Sequence, residues 1–248
     1  MTDIYDLAEL YDEQYSRYRE DIPFYTRLAE DYGSPVLELG AGTGRLSLAL
    51  ASAGHKVTGL ELSPEMRRLG LEKLAAAGPG TEVKLLQADM RTFALDERFP
   101  LITAPFNSLM HLYTVADQDA VFSRVAQHLA PGGVFAFDLY NPNFEELGRL
   151  RLASEWTHVG GDKSELFVYQ ANDPDSQTLL SRYYLDSLKT DGSLGRRTAT
   201  LRQRYYNRFE LTRALQQAGF SVLKLYGDFD KSRYSSAAPK LIGVASLG

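Results

Sequence analysis

One stretch, Glu38-Leu39-Gly40-Ala41-Gly42-Thr43-Gly44, constrains the fold more than any other. It follows a short apolar run, Pro35-Val36-Leu37-Glu38-Leu39, and precedes Arg45-Leu46-Ser47-Leu48-Ala49-Leu50-Ala51. That order reads as buried strand, glycine turn, helix. Glycines at such a turn reach positive φ and let the main chain approach a ligand closely. The rhythm then repeats. Val57-Thr58-Gly59-Leu60-Glu61-Leu62 is a second strand, and Ser63 and Pro64 open a helix as cap and first helical residue. Val83 to Leu86 is a third strand and Leu101 to Ala104 a fourth. A helix follows over 115–130, then a turn at Pro131-Gly132-Gly133 and a fifth strand from Val134 to Asp138. Strands alternating with helices imply an α/β fold with a parallel, doubly wound sheet covered on both faces. Right-handed crossovers are the default connection. Ligands of such sheets bind at the carboxyl ends of the strands.

The flanks follow another pattern. Residues 4–32 read as two short helices, with Leu7, Leu10, Tyr11 and Tyr15 near helical spacing. Asp21 before Pro23 marks a helix start with a carboxylate as cap. Tyr5, Tyr11, Tyr15, Tyr18 and Tyr25 crowd this segment, either as packing over the core or as a lid whose phenols reach a ligand. Segments near 165–170, 177–186 and 196–206 are strand-like, with polar turns at Asn172-Asp173-Pro174-Asp175 and Asp191-Gly192. Asn207 to Ala218 is a helix ended by Gly219, and Phe220 to Tyr226 and Leu241 to Ala245 are closing strands. Four segments result: a helical lid over 1–33, a cofactor-binding core over 34–150, an antiparallel β insert over 151–206 that forms an acceptor lid or a dimer surface, and a closing helix and strands over 207–248.

Composition removes several chemistries. The chain has no cysteine, so disulfides, thiolate metal sites and cysteine nucleophiles are excluded, and no metal site is expected. The net charge is −5, which disfavours general polyanion binding. Arg196-Arg197-Thr198-Ala199-Thr200-Leu201-Arg202-Gln203-Arg204-Tyr205-Tyr206 is basic and aromatic, but Arg202 and Arg204 alternate as one wet strand face would. No nucleic-acid partner is therefore expected. The start, Met1-Thr2-Asp3-Ile4-Tyr5-Asp6, lacks the apolar region of a secretory signal. No apolar run approaches the ~18 residues of a membrane span. The expectation is a cytoplasmic protein without a membrane partner, monomeric or homodimeric.

Charge placement at the turn narrows the ligand. A dinucleotide turn reads G-x-G-x-x-G and rests a pyrophosphate on the helix N-terminus. Here the spacing is G-x-G-x-G, and Glu38 stands two residues before the first glycine. A carboxylate repels a pyrophosphate and attracts a cationic amino acid or a sulfonium. Glu61 ends the second strand about 20 residues beyond the first glycine, where an acid accepts from ribose hydroxyls. Asp89, in Gln87-Ala88-Asp89-Met90 after the third strand, can accept from an adenine amino group. The expected ligand has an adenosyl part and a cationic part.

With these residues in view the chain resembles a class I S-adenosylmethionine-dependent methyltransferase. Val36-Leu37-Glu38-Leu39-Gly40-Ala41-Gly42-Thr43-Gly44 matches that family's first motif. Gly59-Leu60-Glu61-Leu62-Ser63-Pro64-Glu65-Met66 matches its ribose motif, Gln87-Ala88-Asp89-Met90 its adenine motif, and Leu129-Ala130-Pro131-Gly132-Gly133 the turn before strand five. The match covers residues 34–140. The remainder more loosely resembles small-molecule N-methyltransferases, of the type that dimethylate amino sugars. The resemblance implies a Rossmann-like sheet of seven strands, the last antiparallel. It implies S-adenosyl-L-methionine as cofactor and S-adenosyl-L-homocysteine as product. Glu38, Gly40, Ala41, Gly42 and Gly44 would hold the methionyl part, with Arg45 at its carboxylate. Glu61 would hold the ribose, Leu62 and Met66 would flank the base, and Asp89 with the Met90 backbone would read adenine. Pro105 and Tyr11 complete the implied cofactor set. Ala104-Pro105-Phe106-Asn107 departs from the Asn/Asp-Pro-Pro-Tyr/Phe motif of family members that methylate nucleic-acid amines.

Methyl transfer from a sulfonium is an in-line displacement, in which orientation and desolvation supply much of the rate. His111 is the candidate base, because an unperturbed imidazole titrates near pH 6.5. Tyr15 and Tyr140 join it as candidate catalytic residues, and Tyr11 and Tyr15 present aromatic faces to a cation. Asn107, Tyr140 and Asn141 are the candidate acceptor-binding residues at the same edge. His55, His128 and His158 fall on loop or helix surfaces. The leading reading is methyl transfer to a small-molecule acceptor, an amine ahead of a hydroxyl. Two alternatives are an NAD(P)-dependent oxidoreductase and a non-catalytic S-adenosylmethionine-binding protein. The first lacks a Tyr-x-x-x-Lys pair, since Tyr234 and Lys240 are too far apart.

Overall fold

The computed structural model of the chain describes residues 8–15, 18–78, 80–158 and 160–248. Tyr5, Leu7 and the side chain of Leu10, invoked above, lie outside the described residues. The N-terminal region forms α1 (Ala8–Tyr15) and α2 (Ile22–Tyr32). The glycine turn joins β1 (Val36–Leu39) to α3 (Arg45–Ser52). β2 (Val57–Glu61), α4 (Pro64–Ala77), β3 (Val83–Gln87), β4 (Phe99–Ala104), α5 (Val115–His128) and β5 (Leu129–Tyr140) follow. α4 begins as its sequence dictates, with Ser63 accepting from the Met66 amide at 3.3 Å and Pro64 in the first turn.

An insert of four strands comes next: β6 (Leu150–Thr157), β7 (Lys163–Asp173), β8 (Thr178–Leu188) and β9 (Leu194–Arg204). α6 (Arg208–Gln217), β10 (Phe220–Tyr226) and β11 (Lys240–Leu247) close the chain. The main sheet has seven strands in the order β10-β11-β5-β4-β1-β2-β3. β1 pairs in parallel with β2 and β4, and β11 runs antiparallel to both neighbours. The insert is a separate antiparallel sheet, β6-β7-β8-β9. The central strands are apolar on both faces, as a covered parallel sheet requires. Leu37, Leu39, Ile102, Phe135 and Phe137 pack on one side with α5 and α6, and Val36, Leu101, Val134 and Ala136 pack on the other with α2 and α3. This alternation is the two-residue period of a strand.

Five expectations need correction. Pro131-Gly132-Gly133 is not a turn before strand five but part of β5, which starts directly after α5 and shifts its pairing with β4 between Phe99 and Leu101. Gly133 fits because a Cβ there would lie 2.7 Å from the Pro100 carbonyl oxygen. β6 has no counterpart among the expected strands; its residues are mostly exposed, and a register shift between Leu152 and Ser154 interrupts the short alternation of Leu150 and Leu152. Asp21 stands at the N-cap of α2 without a capping bond, and its carboxylate pairs with Arg45. Arg204 is buried, not wet, and bonds Glu210 and Gln177. His128 is buried as well: its Nε2 accepts from the Leu95 amide at 3.0 Å, and its Nδ1 lies 2.7 Å from the Arg124 carbonyl oxygen. Among the described residues no helix is long and apolar enough to cross a membrane.

Candidate active site

The carboxyl ends of β1 to β4 surround a cavity of about 530 Å³, within the ~300–1,000 Å³ of small-molecule sites. Gly40 and Gly42 form a bare wall of it. Both have positive φ, +69° and +58°, and a Cβ on Gly40 would meet Ser108 Oγ at 2.6 Å. Glu61, Leu62, Met66, Asp89, Met90 and His111 line it too, with Tyr11 from α1. A smaller cavity of about 40 Å³ adjoins. Glu38, Ala41, Arg45, Pro105 and Tyr15 line only this one, while Tyr11, Gly40, Gly42 and Phe106 line both. Gly44 lines neither and caps α3 at φ +79°.

The two glutamates at the turn differ in setting. Glu61 accepts from the Gly42 amide at 2.7 Å through one oxygen and from the Ser63 amide at 2.7 Å through the other. A carboxylate has about four acceptor positions, so capacity for two further donors remains. Burial nevertheless raises its pKa, against these amides, which lower it. Glu38 is almost fully buried and accepts from Ser47 Oγ. Burial pushes its carboxyl up to about 8, so it carries little negative charge at neutral pH. The counter-charge expected of it is correspondingly small. Arg45 does not offer a free guanidinium: Asp21, wholly buried, pairs with it, and it lies 5.1 and 5.3 Å over the Tyr18 and Phe106 rings. Asp89 pairs with Arg91 at 2.6 Å, which holds its pKa below the usual carboxylate range, and Arg91 also bonds Asp117 at 2.9 Å.

The ends of β4 and β5 are used differently. Phe106 and Asn107 have φ of +52° and +68°, a region that costs a bulky L-residue about 1–3 kcal/mol unless its surroundings hold it. The Asn107 side chain accepts from the Tyr140 amide at 2.5 Å, and its own amide donates to the Asp138 carbonyl at 3.1 Å. Asn141 donates to the Ser236 and Ala238 carbonyls, at 3.1 and 2.7 Å. Asn107, Tyr140 and Asn141 line neither cavity. The Asn107 and Asn141 side chains and the Tyr140 main chain instead bond within the chain. His111 does reach the cavity from the 3-10 turn Ser108–His111, but burial pushes its pKa down to about 4. It is therefore neutral at pH 7, not poised near 6.5.

Tyr15 packs on Tyr11 and Phe106, with ring centroids 4.8 and 4.9 Å away, and bonds Tyr183 of the insert through its hydroxyl. Asp12 of α1 binds Thr43 of the turn at 2.8 Å and Lys73 of α4. Tyr25 is a core residue whose hydroxyl donates to Asp138 at 2.7 Å. Phe106, Ser108, Leu112, Tyr113 and Arg91 also line the large cavity and were not singled out. Phe106 stood inside the strand-four segment already highlighted, yet no periodicity tells which side chain of an irregular turn faces a cavity.

These groups fit an adenosyl cofactor with a cationic centre. Glu61 keeps acceptor capacity for ribose hydroxyls beside apolar Leu62 and Met66. The Gly42 amide, which a pyrophosphate would take, already donates to that carboxylate. The dinucleotide alternative is disfavoured on that ground.

Known proteins point the same way. A methyltransferase domain family matches residues 36–133. The dTDP-3-amino-3,6-dideoxy-alpha-D-glucopyranose N,N-dimethyltransferase of Streptomyces fradiae is 32% identical over 136 residues, 52% of this chain and 51% of that enzyme. The chain thus spans about half of that relative. The CcbJ methyltransferase of Streptomyces caelestis superposes with a TM-score of 0.81 at 26% identity, covering 95% of each chain. The glycopeptide N-methyltransferase MtfA, solved with S-adenosyl-L-methionine, gives a TM-score of 0.60 at 25% identity over 90% of this chain and 87% of that one. Residues 36–133 match a methyltransferase domain, and over most of its length the chain has the fold of solved methyltransferases, one of them bound to S-adenosyl-L-methionine.

Proposed function

We propose that the chain methylates the amino group of a small, sugar-like acceptor. The observation that carries this is the charge of the large cavity. Glu61, Glu65 and Asp89 line it, and the one cation lining it among the described residues, Arg91, is met by Asp89 and Asp117. Even with Glu61 engaged by the adenosyl end, Glu65 and Asp89 leave this lining an excess of negative charge near Arg91 and Asp117, which favours an ammonium over a neutral hydroxyl. The amino-sugar substrate named for the Streptomyces fradiae relative supports the same class.

The cofactor supplies an electrophilic methyl carbon on a sulfonium. The chain's part is to bind, orient and exclude water. Glu61 and the bare turn hold the adenosyl end, and Tyr11 and Phe106 line the passage between the cavities. His111, kept neutral by burial, accepts a hydrogen bond at a ring nitrogen from the acceptor N–H and so aims the lone pair. The bound ammonium must first give its proton to solvent; the neutral amine that results carries the lone pair and needs no strong base, which suits an imidazole of low pKa.

The test is mass spectrometry of the chain with S-adenosyl-L-methionine and matched pairs of nucleotide-linked sugars, amino against hydroxyl at one position. A gain of one or two methyl groups on the amino member alone is expected. Methylation of the hydroxyl member alone would overturn the proposal.

A further inference from the structure

Asp138, near the end of β5, lines neither cavity and is only 1% exposed. One of its carboxylate oxygens accepts from the Phe106 amide at 2.9 Å and from the Tyr25 hydroxyl at 2.7 Å. Its carbonyl accepts from the Asn107 amide at 3.1 Å. It thereby supplies bonds to both residues of the positive-φ pair, Phe106 and Asn107. The turn is also tied by Tyr140 to Asn107, by Ser108 Oγ and the Ser108 amide to the Pro105 carbonyl, at 2.6 and 3.2 Å, and by the Met110 amide to the Asn107 carbonyl at 2.8 Å. Non-glycine residues persist in this region only when neighbouring bonds over-determine them. The other carboxylate oxygen of Asp138 is buried without a partner among the described residues. A side chain placed only for stability would be better served by an apolar group of its size.

What the turn presents is the Phe106 ring. It lines both cavities and packs against Tyr11 and Tyr15 of α1, with centroids at 6.4 and 4.9 Å. Arg45 lies over it with its charge met by Asp21. We propose that Asp138, oriented by Tyr25, is a positioning residue that holds Phe106 in its positive-φ turn, so that the ring faces the cationic centre of the cofactor where the two cavities join. Aromatic faces attract cations. The ring therefore favours the charged sulfonium of the methyl donor over the neutral thioether of the spent cofactor. The inference rests on the cofactor site derived above.

The readout is a ratio of affinities by calorimetry: S-adenosyl-L-methionine against S-adenosyl-L-homocysteine, measured without acceptor. Phe106→Leu removes the ring and sets the scale, with an expected fall of about three- to tenfold in preference for the charged form. Asp138→Ala should reproduce most of that fall while S-adenosyl-L-homocysteine binds as to the unaltered chain. Asp138→Asn, which keeps an acceptor oxygen for the Phe106 amide, should restore the preference. Tyr25→Phe deletes one hydroxyl from the core and should move the ratio the same way by a smaller factor; it carries the test if Asp138→Ala does not fold. An unchanged ratio in folded Asp138→Ala, or in Tyr25→Phe in its place, overturns the positioning role. An unchanged ratio in Phe106→Leu overturns the ring–cation premise. Failure of the unaltered chain to bind S-adenosyl-L-homocysteine would instead strike the cofactor site itself.

Discussion

The ends of β1 to β3 and the ends of β4 and β5 lie along one edge of one sheet, yet they treat their polar groups in opposite ways. On the β1–β3 side, bare backbone and strand-end acids face the cavity: Gly40, Gly42, Glu61 and Asp89. On the β4–β5 side, Asn107, Asp138, Tyr140 and Asn141 bond to other parts of the chain, and only side chains of the irregular turn reach the cavity. The first side is built from short motifs at the ends of successive strands, each fixed by its own strand and turn and joined by the Gly42 amide bonding Glu61. The second builds its surface through contacts between segments distant in sequence, such as Asn141 with Ala238.

Substitutions on the first side should therefore strike cofactor binding directly. The largest effect is expected from Gly42→Val. A β-branched residue at φ +58° is a strong outlier, and its Cβ would stand in the wall shared by both cavities, 3.4 Å from the Met66 methyl. Strain of about 1–3 kcal/mol together with lost space should lower affinity for S-adenosyl-L-homocysteine by about a hundredfold or more. Calorimetry checks this, and a folded variant that binds normally would show that the turn is not the contact surface.

Next comes the pair of glutamates, which sharpens the comparison within the first side. Glu61→Ala removes a carboxylate that faces the cavity, and loss of charge-assisted bonds predicts about a ten- to hundredfold weaker affinity. Glu38→Gln should change affinity by about twofold at most, because the acid is largely protonated at pH 7 and bonded to Ser47. Its effect belongs to stability against pH. Glu38 has a folded pKa of about 8, above its unfolded value, so the folded state binds more protons between the two. Stability from this group therefore falls as pH rises from about 4.5 to 8 and is level above that. Chemical denaturation across that range should show a shallower decline in Glu38→Gln than in the parent chain.

The same contrast governs how far the sequence could be read. Strand, glycine turn, helix and strand-end acids recur within short windows, so the seven-stranded core and much of the large cavity's lining were legible. Leu62 and Met66, singled out by the resemblance to the ribose motif, both line the cavity. Asp21 was misread as a cap because its partner, Arg45, is remote in sequence. β6 was missed because its alternation of Leu150 and Leu152 is short and is broken by a register shift before Ser154. Phe106 and Asn107 could not be resolved, since positive φ at a non-glycine residue has no composition signal and depends on Asp138 in another strand.

His111 stands between the two regimes, as a residue of the irregular turn that does reach the cavity. His111→Ala should lower saturated turnover by about tenfold, the worth of one hydrogen bond to the acceptor, and leave cofactor affinity nearly unchanged. Its depressed pKa also fixes a sign. The profile of kcat/KM should show no fall through pH 6.5 from this group, and its acidic limb should lie near pH 4 where the imidazole charges. A limb at 6.5 that vanishes in His111→Ala would restore the role of a base in free solution exchange.

The smallest effect should come from Asn141→Ala, and it is the change that can break the comparison. The Asn141 amide bridges the carbonyls of Ser236 and Ala238, so its loss leaves two acceptors to solvent and should cost about 1 kcal/mol, or about 2–4 °C in Tm. The acceptor KM should stay within about twofold, because the side chain contributes to neither cavity. Thermal melts and steady-state kinetics on one preparation separate the two quantities. A tenfold rise in KM with an unchanged Tm would mean that Asn141 leaves its loop to meet the acceptor, and the β5 end would then belong with the ligand-facing side.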